Sequence, residues 1–153
     1  MKNDVLIIYG SSKGRTGRMA RLLADALEER GLPFVLKNVF EASPESLAEH
    51  AYVALGCSTY GQGDLQRDFL EFERGMDELD LTGVQAAIFG SGNSRYAYFG
   101  EAVDILEAKV KIQGGRLLHP SFRQDMMDGP PDGEDTLAWA SDLAEAILVD
   151  SIS

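Results

Sequence analysis

The residues best equipped for chemistry lie in three short segments. The first, Gly10-Ser11-Ser12-Lys13-Gly14-Arg15-Thr16-Gly17, follows the apolar run Val5-Leu6-Ile7-Ile8-Tyr9. A buried strand that empties into such a turn, with a helix starting at about Thr16, aims backbone N–H groups and hydroxyls at one point. An anion, most simply a phosphate, fits there without basic side chains. The second segment reads Cys57-Ser58-Thr59-Tyr60-Gly61-Gln62-Gly63-Asp64. The third reads Gly90-Ser91-Gly92-Asn93-Ser94-Arg95-Tyr96-Ala97-Tyr98-Phe99. Both set tyrosine beside glycines, which let a ligand approach the backbone closely.

The elements around these segments bring them to one place. Strand-like runs at Asp4–Tyr9, Pro33–Val39, Ala51–Gly56, Val84–Phe89 and Arg116–His119, the last resuming near Phe122, alternate with helical ones. The first helix runs from about Thr16 to Glu29, with Met19, Leu22, Leu23, Ala26 and Leu27 at helical spacing and Gly31 closing it. A short helix opens at Ser43-Pro44, a third spans Leu65–Leu79, a fourth ends near Ile112, and Asp135–Leu148 closes the chain. Strict alternation implies an α/β fold, a doubly wound sheet of five parallel strands with helices on both faces. Ligands of such sheets sit at the carboxyl ends of the strands, and all three segments leave strands there. Two aromatic planes beside a phosphate turn suit a flat ring with a phosphorylated tail. That description fits flavin mononucleotide (FMN) better than a nicotinamide dinucleotide.

Composition narrows the alternatives. The 153 residues form one expected domain, large enough for a sizeable core. A net charge of −11 argues against a nucleic-acid partner and suits docking on basic surfaces. No apolar run reaches membrane-span length and no signal-peptide pattern opens the chain, so a cytoplasmic protein is expected. Cys57 is the sole cysteine and His50 and His119 are far apart in sequence, which leaves no metal cluster to expect. Gly10-Ser11-Ser12-Lys13-Gly14 fits the G-x-S-x-G elbow of serine hydrolases, but the only late histidine, His119, lies in a strand-like run before Pro120 and reads as packing. Position 63 is Gly63, not the arginine of a phosphatase loop, so Cys57 reads as an inert buried thiol. Receiver-domain chemistry lacks its acidic pair after the first strand. Trp139, Leu137, Leu143 and Ile147 read as the core face of the last helix. The acids Asp125, Asp128, Asp132, Glu134 and Asp135 read as a solvated loop more than a docking patch.

From Val5 to Ile147 the chain resembles the short-chain flavodoxins of the Desulfovibrio type. The family's phosphate turn, S-T-T-G-N-T, is matched by Ser11, Ser12, Lys13, Gly14, Arg15 and Thr16. Its middle loop, C-S-T-W-G, is matched by Cys57, Ser58, Thr59, Tyr60 and Gly61, with Tyr60 in place of tryptophan. Its third loop is matched by Gly90 to Phe99, so that Ser91, Gly92, Asn93, Tyr96, Tyr98, Phe99 and the following Gly100 complete the expected FMN site. The resemblance implies strand order 2-1-3-4-5, FMN as cofactor, Tyr96 stacked on the ring and no substrate turnover. It also implies single-electron shuttling as a monomer between larger redox proteins that dock near the flavin edge. It further implies that the peptide at Gly61-Gln62 turns its carbonyl toward flavin N5 during the one-electron step. A flavin-free regulatory or interaction module of the same fold, or one binding another phosphorylated ligand, is the alternative.

The departures from the pattern carry their own expectations. Lys13 and Arg15 replace a hydroxyl and an amide, and with Arg18 and Arg21 they leave residues 13–21 basic and without an acid. At least one of Lys13 and Arg15 is expected to pair with the phosphate, and Arg18 and Arg21 to point to water. Around the ring, Gln62 and Gly63 stand for a frequently acidic pair, Asn93 for an aspartate and Ala97 for a glutamate, while Arg95 adds a positive charge. Carboxylates disfavour the anionic reduced flavin, one charge at about 10 Å being worth about 1 kcal/mol at an effective dielectric of roughly 20–40. The potential of the second electron step is therefore expected to be less negative than the family norm.

Overall fold

In the computed structural model, which describes residues 1–10, 14–59 and 67–153, the chain forms a parallel sheet covered on both faces by helices. Strands β1 (Lys2–Gly10), β2 (Phe34–Asn38), β3 (His50–Cys57), β4 (Gln85–Gly92) and β5 (Arg116–Leu117) lie in the order β2-β1-β3-β4-β5, and β6 (Phe122–Asp125) also pairs with β4. All pairings are parallel. The alternation in β1 explains the layers. Val5 and Ile7 face the core under α1 (Arg15–Glu29) and α4 (Glu134–Ser151). Leu6 and Ile8 face the core under α2 (Arg67–Gly75) and α3 (Glu101–Ile112). Val5, Leu6, Ile7 and Ile8 are all buried, as two-sided coverage requires.

The helices follow their apolar faces. Met19, Leu22, Leu23, Ala26 and Leu27 of α1 are all buried, and Gly31 ends the helix in the left-handed conformation with its N–H donating to the Glu28 carbonyl at 3.0 Å. Trp139, Leu143 and Ile147 are buried on α4 as expected. Leu137 is not. It is 50 % exposed, because its helical azimuth is nearly opposite that of Trp139, and Thr136 and Ala140 take the inward positions beside Trp139. The segment after Ser43 forms a 3₁₀ helix, Pro44–Glu49, and the end of the expected third helix tightens into a 3₁₀ turn at Met76–Glu78.

The fifth strand is interrupted. Arg116 pairs with Gln85 and Phe122 with Phe89, so both pieces run along β4. Between them stands Pro120, whose missing N–H cannot serve the ladder. His119 lies in this break and not in a strand core. Its Nδ1 lies 3.0 Å from the Pro120 carbonyl, and the ring lines a shallow groove with Leu118, Asp142 and Glu145. Among the described residues no helix is long and apolar enough to cross a membrane, and no group of three acidic, histidine or cysteine side chains is placed to hold a metal.

Candidate functional site

Register brings the loop origins level. Gly10 at the end of β1 pairs with Cys57 at the end of β3, and Gly56 pairs with Phe89 of β4. Directly beyond, one hydroxyl from each of three segments converges. Thr16 Oγ1, in the first turn of α1, lies 2.7 Å from Ser58 Oγ and 2.9 Å from Ser91 Oγ, and the two serine oxygens are 3.3 Å apart. Thr16 and Ser91 are buried. Gly14 precedes them at φ 83°, a left-handed conformation that brings the chain into α1, and a Cβ there would touch nothing among the described residues.

The second and third segments are stitched together. The Thr59 N–H donates to the Ser91 carbonyl at 3.0 Å, and Thr59 Oγ1 accepts the Ala102 N–H at 3.0 Å. Within the third segment Asn93 Oδ1 accepts the Arg95 N–H at 2.9 Å, an Asx turn, and the Tyr96 N–H donates to the Asn93 carbonyl at 3.0 Å. The Phe99 ring lies on Gly92, where a Cβ would come within 3.1 Å of it. Gly100 starts α3 at φ 77° beneath the Arg123 side chain. The turn leaves Tyr96 57 % and Tyr98 48 % exposed, so two aromatic side chains stand at the sheet edge without being spent on the core. Gly14, Arg15, Thr16, Ser58, Thr59, Ser91, Gly92, Asn93, Tyr96, Tyr98, Phe99 and Gly100 are thus described at or beside one edge. Ser11, Ser12, Lys13, Tyr60 and Gly61 lie outside the described residues.

Comparison with known proteins settles the family. Residues 7–139 match the family model described as Flavodoxin. The chain belongs to the flavodoxin family. It is 35 % identical over 145 residues to the flavodoxin of Maridesulfovibrio salexigens, covering 93 % of this chain and 97 % of that one. A crystal structure of oxidised flavodoxin 1 from Bacillus cereus superposes with a TM-score of 0.87 at 28 % identity, covering 96 % of this chain and 98 % of its own. A Fusobacterium nucleatum flavodoxin bound to flavin mononucleotide shares the fold, with a TM-score of 0.82 at 16 % identity over 97 % of this chain and 99 % of its own. Flavodoxins bind FMN and carry electrons without acting as enzymes, and electron carriage implies redox-protein partners. Family membership thereby selects the electron carrier over a flavin-free module.

The residues of this flavodoxin suit that cofactor. Neutral hydroxyls converge beside a helix N-terminus, which matches a phosphate tail, and unspent tyrosines beside close-packed glycines match a planar ring. The basic residues are disposed in a way the sequence does not reveal. Arg18 Nε lies 3.3 Å from Asp132 Oδ2 and both are well exposed, and Arg21 is exposed. Arg15 Nη2 donates to Gln124 Oε1 at 2.7 Å and to the Gly129 carbonyl at 2.8 Å, in the segment formed by the end of β6 and the turn after it.

Two residues of that segment escape a sequence reading. Gln124 is buried within β6, and an amide between Arg123 and Asp125 carries no mark of that in the sequence. Asp125 reads as part of a solvated acidic loop, yet its Oδ1 accepts the Ser94 N–H at 3.1 Å and the Met127 N–H at 3.0 Å. A hydrogen bond from the Ser94 side chain first, then that from the Met127 N–H, holds its carboxyl below the ordinary carboxylate range. The third segment lacks acids at Asn93 and Ala97, and Asp125 returns one to it from across the edge. Cys57 is buried at the end of β3 with Sγ 3.4 Å from the Ser58 carbonyl oxygen.

Proposed function

We propose that this flavodoxin seats FMN along the carboxyl edge of its sheet, phosphate in the 10–16 turn and ring between the 57–61 and 93–99 segments. The observation that supports this reading is the meeting of Thr16, Ser58 and Ser91 hydroxyls from three separate segments at one buried point. Ser11, Ser12, Lys13, Tyr60 and Gly61 join the site on the strength of their place in the sequence. FMN, when bound, supplies reversible one-electron chemistry on its ring. The chain's own part is binding and shielding. Its hydroxyls and backbone N–H groups, with Lys13, hold the phosphate, Tyr96 and Tyr60 flank the ring and exclude water, and Gly61 offers a peptide that turns at little cost. Asp125 holds the Ser94 end of the Tyr96 loop.

In this reading residues 1–153 act as one domain and as a monomer in the cytoplasm. The partners are larger redox proteins that dock transiently at the flavin edge through basic surfaces, which a chain of net charge −11 attracts, and neither nucleic acid nor membrane is engaged. The test is the visible spectrum of the purified protein and of the apoprotein titrated with FMN. A flavin band that bleaches on reduction is expected. A colourless protein that refuses added FMN would overturn the reading.

A further inference from the structure

Arg15 stands in the phosphate turn, where a guanidinium invites a role as counter-ion. Its side chain reaches elsewhere, to Gln124 and Gly129, partners 109 and 114 residues away. Gln124 spends its own amide on the same segment. Its Nε2 donates to the Asp125 carbonyl at 2.9 Å and to the Gly129 and Pro130 carbonyls at 3.3 Å each. That segment is irregular, a 3₁₀ turn at Met126–Asp128 followed by Gly129 at φ 126°, so side chains take up backbone acceptors that no ladder satisfies. Asp125, at its start, grips the Ser94 N–H of the loop that carries Tyr96 and Tyr98. A continuous run of hydrogen bonds therefore joins the phosphate turn to the ring loop: Arg15, Gln124, Asp125, Ser94.

We propose that Arg15 is a positioning residue of the flavin site: it braces the 124–130 segment, and through Asp125 the Tyr96 loop, and is not the counter-ion of the phosphate. The proposal rests on the FMN reading above. Swinging the guanidinium to a phosphate would strip Gln124 Oε1 and the Gly129 carbonyl of their charged donor, and part-buried acceptors are costly to leave unpaired. Both bonds come from Nη2 at the tip of the side chain, so the guanidinium is committed to acceptors of the 124–130 segment. Arg15 thereby couples the two ends of the site without touching the reacting ring.

The discriminating ligand is riboflavin, which has the ring of FMN and no phosphate. In Arg15→Ala the affinities for FMN and for riboflavin should fall by the same factor, about tenfold for a lost charge-assisted pair. The salt dependence of FMN binding should stay as in the native protein. Loss confined to FMN, with riboflavin unaffected, would make Arg15 the counter-ion and overturn the proposal. Gln124→Leu should reproduce the riboflavin loss, and the double variant should lose no more than either single one, whereas additive losses would also overturn it. Where Arg15→Ala folds poorly, Arg15→Met serves, since it keeps an apolar stem of similar reach and removes both donors. A readout on the apoprotein stands apart from the cofactor: the Ser94 amide should exchange its hydrogen faster in the Arg15 variant. Unchanged Ser94 exchange refutes the brace, while native protein that binds neither ligand refutes the FMN reading alone.

Discussion

Gly56→Ala should be among the most damaging single-methyl additions in this protein. Gly56 lies in β3 one residue before Cys57, between Tyr9 of β1 and Phe89 of β4. A Cβ there would come 2.3 Å from Cε2 and Cζ of Phe89 and 3.0 Å from its Cδ2. Carbon atoms in contact settle at about 3.5–4.0 Å, so the ring or the strand must retreat by more than an ångström. The ring has nowhere to go. Its centroid is 4.8 Å from that of Trp139, which stacks in turn on Phe122 at 5.4 Å. Overpacking typically costs about 1–3 kcal/mol, and a ring boxed in on its far side places Gly56→Ala at the upper end, about 3 kcal/mol. The displaced strand continues into Ser58 and Thr59, so FMN affinity should fall as well. Urea unfolding of the apoprotein measures the first effect and FMN titration the second. Phe89→Leu alone should cost about 1–2 kcal/mol, and in the double variant the two losses should overlap by about 1–2 kcal/mol because the smaller side chain makes room. A Gly56→Ala loss below about 0.5 kcal/mol, or strict additivity with Phe89→Leu, would refute the clash as its cause.

Further outcomes follow from the site and from the far edge of the sheet. Thr16→Val keeps the shape but removes the hydroxyl shared by Ser58 and Ser91; a stability loss of about 1 kcal/mol and weaker FMN binding are expected, and fluorescence titration showing native affinity would remove Thr16 from the site. Burial, then the hydrogen bond to Asp150 Oδ2 at 2.6 Å, push the Tyr52 hydroxyl up to about 12 from 10.0. A raised folded value means that its stabilisation is whole below pH 10.0 and drains away as the pH climbs to about 12, so Tyr52→Phe should flatten that stretch of an unfolding series, and equal slopes would contradict this. For Asp125 the sign is opposite: its lowered value makes the clasp on Ser94 whole above the ordinary carboxylate range and lost as the pH falls through the lowered value, which acid titration of flavin release would follow. Asp125→Asn should move the potential of the reduced flavin to less negative values, more so at low ionic strength, and an unmoved potential in redox titration would deny the carboxylate any electrostatic role.

The fold was legible because its signals are local and repeated. Each βα unit declares itself by an apolar run, a glycine-bearing turn and a helical stripe, and right-handed crossover leaves little choice of topology. The failures share a cause. Leu137 reads with the core face of α4 although its azimuth points outward, and the fifth strand, whose resumption near Phe122 is legible, reads as far as His119 although β5 ends at Leu117. The hydroxyls of Thr16, Ser58 and Ser91 could be named as site residues from their turns, but their meeting within 3.3 Å depends on strand register. Gln124 and Asp125 gave no usable signal, since a polar residue and an acid in a loop are ordinary until a partner 31 or 109 residues away is set beside them.

The sequence by itself determined the class of this protein: strand-exit turns of glycine and hydroxyl residues and tyrosines beside glycine can be read in order along the chain, because backbone propensity and turn chemistry act over a few residues. Tertiary structure alone decided what the side chains of those turns do. Arg15, by position a candidate for the phosphate, turns to Gln124 and Gly129, and Asp125, by position a solvated acid, holds the loop of Tyr96. The physical reason is that a charge or an amide spends itself on whatever acceptor or donor folding brings within 3 Å or so, and that neighbour is set by packing across the sheet edge and not by distance along the chain.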